Sequence, residues 1–122
     1  MENFVNWFEI PALDFDRAVK FYSTVLGVNI TANEFMGAQM GFFPSDGTNV
    51  SGAIITGSNY SPANGGVLLY LNGGADLSVP LGKVEAAGGK IIVPKTQISD
   101  DMGYFAIFND TEGNTMAFHS MS

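Results

Sequence analysis

The chain has 122 residues, 46% of them hydrophobic, with 12 acidic residues against 5 basic ones and a formal net charge of −7. That is one domain's length, able to bury roughly two-thirds of its unfolded surface without covalent staples. The absence of cysteine excludes disulfides, thiolate metal sites and a cysteine nucleophile, and the acidic balance repels phosphate backbones and anionic lipid, so no nucleic acid or membrane partner is expected.

In chain order, "NFVNWFEI" alternates loosely and reads as a strand, with Phe8 and Ile10 on one face and Trp7 and Glu9 on the other. A helix follows. Asp14 is its N-cap, Phe15, Ala18, Val19, Tyr22, Val25 and Leu26 form one apolar stripe, and Gly27 closes it. Phe21 lies off that stripe, facing a neighbouring strand or a second subunit. Three strands are expected next, over Val28–Phe35, Ala38–Phe43 and Val50–Thr56, punctuated by "MG" and "PSDGTN". Residues 57–66, "GSNYSPANGG", read as a linker. Beyond it "VLLYLN" reads as a strand, "DLSVPLGKVEAAGG" as a helix with Leu77, Leu81, Val84 and Ala87 inward, and "KIIVPKTQI", "GYFAIFND" and "NTMAFHSM" as three more strands. Asp110 and Glu112 fall at a turn and need no functional account there.

The element order therefore repeats. Superposing the halves pairs Trp7 with Leu68, Glu9 with Tyr70, and Gly27 with Gly88 or Gly89. The expected fold is α+β: one domain of two βαβββ modules, residues 1–56 and 67–122, joined by 57–66. A sheet with a helix on one face must bury its other face too, which two such units achieve by curling around one cleft. No signal peptide and no run near the roughly 18 apolar residues of a membrane span is present, so the cytoplasm is the expected location.

"FEIPALDFDRAVKFYSTVLG" and "FNDTEGNTMAFHS" resemble the opening and closing signatures of the vicinal oxygen chelate superfamily, the glyoxalase/bleomycin-resistance/extradiol-dioxygenase group. "VLLYLNGGADLSVPLGKVEAAGGKIIVPKTQI" fits the middle, and the likeness is strongest to a glyoxalase-related bacterial subgroup. The resemblance implies a U-shaped, barrel-like mixed sheet with a helix outside each module, and commonly a homodimer. In the superfamily's metalloenzymes it also implies a divalent ion held by His, Glu or Gln on the first, fourth, fifth and eighth strands. The corresponding positions here are Trp7, Leu68 and Ala117, with only the Ser51 and Thr56 hydroxyls on the fourth strand. Three or more donors must converge at about 2.0–2.6 Å. No inherited metal site is expected, and no cofactor.

Four residues are the candidates for a site. Glu9 suits a general base or a polar grip on a ligand; equally, it suits a structural carboxylate paired with a neighbour such as His119. His119, the one histidine, suits acid–base work at neutral pH or an edge contact. Tyr70 offers a hydroxyl and an apolar ring, and Trp7 a ring to floor a cavity or stack on a planar ligand. Glu9 and His119 are thus the candidate catalytic residues, and all four the expected ligand contacts. Two functions compete: a metal-independent binder of an unidentified small molecule, and a lyase or isomerase with Glu9 as base. A structural dimer with a filled cavity is the third alternative. A metal-dependent glyoxalase or dioxygenase is disfavoured by Trp7, Leu68 and Ala117.

Overall fold

Helix α1, Phe15–Leu26, is built as its sequence dictates. In the computed structural model, which describes residues 3–35, 37–58 and 60–122, the Asp14 carboxylate accepts from the Arg17 amide at 3.1 Å. Gly27, at φ 66°, turns the chain so that its own amide and that of Val28 both reach the Ser23 carbonyl. A Schellman-type closure of this kind favours glycine, because a Cβ crowds the left-handed region.

Around α1 the first module orders as β1 (Trp7–Pro11), α1, β2 (Thr31–Phe35), β3 (Ala38–Phe42) and β4 (Ser51–Thr56). The second runs β5 (Tyr70–Asn72), α2 (Ser78–Leu81), β6 (Lys90–Ser99), β7 (Gly103–Asn109) and β8 (Thr115–Ser120). Each module is a four-stranded mixed sheet with the same topology, β1-β4-β3-β2 and β5-β8-β7-β6. Its first and last strands pair in parallel and the remaining pairs are antiparallel. The α+β class and the duplicated order match expectation. The two sheets are hydrogen-bonded separately and do not close into a barrel.

Four elements are shorter than their patterns, the first being β1, which begins at Trp7 rather than Asn3. The second helix, expected over residues 76–89, is α-helical only at Ser78–Leu81. It continues as turns, with Lys83 N–H to Pro80 and Val84 N–H to Leu81. Pro80 withholds a donor, and Gly82, Gly88 and Gly89 favour the unfolded backbone. Leu77, Leu81 and Val84 are nevertheless buried and Ala87 half-buried, as their spacing requires. Strand β5 begins only at Tyr70, because the chain before it is held to β8 by scattered bonds, from Ala117 to Leu69 and from Thr115 to Ala63. Strand β2 begins at Thr31 rather than Val28. Met36, in the expected "MG" turn, lies outside the described residues.

One core joins the modules. It takes Ile10, Phe43 and Ile54 from the first sheet, Phe15, Phe21, Tyr22 and Val25 from α1, and Leu81, Val84, Phe108 and Phe118 from the second module. Phe21 is the hinge of this packing, fully buried with its ring edge-on to Tyr22 and tilted against Phe108. The opposite face of the first sheet carries a separate small cluster of Ala38, Met40, Ala53 and Ile55.

Asp110 and Glu112 are not simple turn residues. Both are buried. Asp110 accepts from the Tyr22 hydroxyl, the Asn114 side-chain amide and two backbone amides. Glu112 accepts from the Leu13 and Asp14 amides at 2.8 and 2.7 Å and from the Arg17 guanidinium at 2.7 and 3.1 Å. The β7–β8 turn thereby caps the first module's helix, whose N-terminal amides lack partners of their own.

Candidate functional site

Strand alternation sends Trp7 and Glu9 away from the shared core, as expected from Phe8 and Ile10 pointing into it. Trp7 is 43% exposed, with its ring tilted against Phe42 at 6.1 Å. Its indole N–H lies 3.4 Å from a Glu9 carboxylate oxygen, a long contact. Glu9 therefore meets Trp7 rather than His119.

Tyr70 and His119 sit on the second sheet, facing away from Leu71 and Phe118. In register, Tyr70 lies opposite Ala117, and Asn72 opposite His119. His119 Nε2 is 2.7 Å from the Met102 carbonyl oxygen in the β6–β7 turn. Since a carbonyl only accepts, Nε2 carries the hydrogen, and in the neutral ring Nδ1 is left an acceptor.

Three hollows surround these groups. The largest, about 980 Å³, is a groove between the start of the first sheet and β5, lined by Phe4, Phe8, Phe43, Val50, Leu69 and Tyr70 among others. A second, about 480 Å³, runs from Tyr70 and Asn72 to His119 and Met121. The third, about 240 Å³, holds Glu9 beside Val67, Leu69 and Thr115. Tyr70 thus joins the groove to the His119 hollow, while Glu9 lines a different one and Trp7 lines none of these three. Phe4, Phe43 and Leu69 are site residues that sequence reasoning missed, since apolar residues at strand ends carry no signal that separates lining from core.

Among the described residues, no group of three His, Cys, Asp or Glu side chains is placed to hold an ion. Trp7 and Ala117 supply no donor, and the Ser51 hydroxyl is spent on the Pro44 carbonyl at 2.9 Å. The residues present do not fit the ion of the metalloenzymes.

Paired βαβββ modules about interconnected hollows define the class of protein. The chain belongs to the Glyoxalase/Bleomycin resistance protein/Dioxygenase superfamily, whose sequence profile matches residues 4–118. It is 29% identical to a glyoxylase-like domain-containing protein of Didymella fabae, over 93% of this chain and 90% of that one. Its fold is similar to that of TnmS3, an antibiotic binding protein from Streptomyces sp. CB03234, at TM-score 0.69 and 20% identity over 98% and 97% of the two chains. A glyoxalase/bleomycin resistance protein from Albidiferax ferrireducens T118 superposes at TM-score 0.72 and 19% identity, over 97% and 98%. At such identities the structural likenesses speak for the fold alone.

Proposed function

We propose that this protein binds a small organic molecule in the groove between its two sheets, without a metal ion, and works as a homodimer. The observation that carries the reading is the groove itself. Its volume of about 980 Å³ and aromatic lining suit a ligand site that buries an apolar body and orients it with few polar groups. Tyr70 and His119 are the proposed contacts from the second sheet, and Phe8 and Phe43 those from the first module; Trp7 and Glu9, the other expected contacts, stand outside this groove. The two modules, 1–56 and 67–122, act as one domain, with the linker 57–66 tied to β8 through Ala63. A fold shared with an antibiotic binding protein supports a binding role and names no ligand. Binding is preferred to catalysis because Glu9 and His119 line different hollows, so no acid–base pair faces one substrate atom.

Native mass spectrometry of freshly purified protein tests this directly. The expected spectrum shows twice the 13.0 kDa chain with a retained small molecule and no metal. A monomer that retains nothing, and that no metabolite stabilises in a thermal-shift screen, would overturn it.

A further inference from the structure

The described lining of the groove and of the hollow beside it holds no acidic side chain, lysine or arginine, although the chain has 17 such residues, 12 acidic and 5 basic. The basic ones are engaged or elsewhere. Arg17 is held by Glu112. Lys95 is held by Asp76 at 2.9 Å and lies over the Tyr104 ring. Lys20, Lys83 and Lys90 line none of the three hollows. A carboxylate or phosphate entering the groove would shed water with no countercharge to replace it, against the field of a chain with net charge −7. An ammonium would find no carboxylate.

The polar groups that remain are specific. Ser51 donates to Pro44, and the Asn72 side-chain oxygen accepts from the Gly74 amide at 2.8 Å. That leaves the Asn3 side-chain amide, the Tyr70 hydroxyl, the Asn72 side-chain amine and His119, whose Nδ1 is an acceptor in the neutral ring. Groove and hollow share Tyr70, Leu71, Asn72 and Gly74, so one molecule can span both.

Resting on the binding role above, we infer that the ligand is an uncharged, largely aromatic molecule bearing a hydroxyl or N–H donor, and that carboxylates and phosphates are rejected. The aromatic body lies on Phe8, Phe43 and Tyr70. The donor meets His119.

Three pyrene probes of one shape test this at neutral pH by fluorescence anisotropy and equilibrium dialysis: 1-pyrenemethanol, 1-pyrenecarboxylate and 1-pyrenemethylammonium. The alcohol is expected to bind, with the carboxylate weaker by roughly tenfold or more and the ammonium weaker by roughly threefold. Val50→Lys, at a partly exposed lining position, should raise the ratio of carboxylate to alcohol affinity by about tenfold over that of the wild type. His119→Phe should remove the advantage of the alcohol over 1-methylpyrene. If the carboxylate or ammonium binds the wild type as tightly as the alcohol, the charge inference fails while the binding role stands. If no probe binds, the inference fails, and a retained ligand or its absence in native mass spectrometry decides whether the binding role falls with it.

Discussion

The Tyr22 hydroxyl donates to the Asp110 carboxylate at 2.6 Å, across 88 positions of chain and from one module to the other. Both groups are buried, and Asp110 is satisfied further by Asn114 and two amides. With Glu112 at the start of α1, this network ties the first module's helix to the β7–β8 turn of the second.

Tyr22→Phe removes one donor from a buried carboxylate and should cost about 1–2 kcal/mol, lowering the melting temperature by roughly 4–8 °C. Burial first, then the charge and hydrogen bond of Asp110, push the Tyr22 phenol well above its ordinary 10. The unfolded chain therefore loses this proton first as pH rises. The stabilisation is complete below about pH 10 and erodes above it. Absorbance at alkaline pH should show the Tyr22 phenol ionising only as the protein unfolds, a step missing in Tyr22→Phe; its ionisation in the folded chain near pH 10 would contradict the buried network.

Glu112→Gln should destabilise by roughly 2 kcal/mol, since the Leu13 and Asp14 amides just before α1 and the Arg17 guanidinium lose a charged acceptor. Burial alone would push this carboxyl up, yet bonds from Arg17, the Asp14 amide and Thr111 hold it below its ordinary 4.5. Its contribution is then full above pH 4.5 and fades as pH falls through the lower folded value. Urea melts should show the gap between wild type and variant closing on acidification. A gap that widens in acid would refute the assignment.

Gly103 opens β7 at φ 80°, and a Cβ there would press into the Ser120 carbonyl oxygen. Gly103→Ala should cost about 2 kcal/mol or more, from left-handed strain and displacement of the β7–β8 ladder. Calorimetry checks this, and Gly113→Ala, which has positive φ but nothing within 4 Å of the added carbon, is the control with the smaller loss.

Dialysis against a chelator, or addition of Zn²⁺, Ni²⁺ or Mn²⁺, should move the melting temperature by no more than about 1 °C, because an ion with no convergent donors has no preference for the folded state. A rise of several degrees with one of these ions would sink the metal-free reading.

Much of this architecture was legible in the chain itself. The Asp14 cap, the Gly27 closure, the outward placement of Trp7 and Glu9 and the repeated element order all follow from contacts within a few residues. Backbone geometry and period suffice to place them. The truncated second helix was less legible, because its inward residues kept helical spacing where glycine and proline had broken the hydrogen bonding.

What tertiary structure alone decided is which faces meet. Alternation sends Glu9 and His119 out of the shared core but says nothing of the direction in which one sheet is set against the other. That setting comes from α1, pinned at Phe21 to Phe108, at Tyr22 to Asp110 and at Arg17 to Glu112. These partners lie far apart in the chain, and a turn acid looks the same in sequence whether it faces water or a helix end. For the same reason Tyr70 shares a hollow with His119 and not with Trp7.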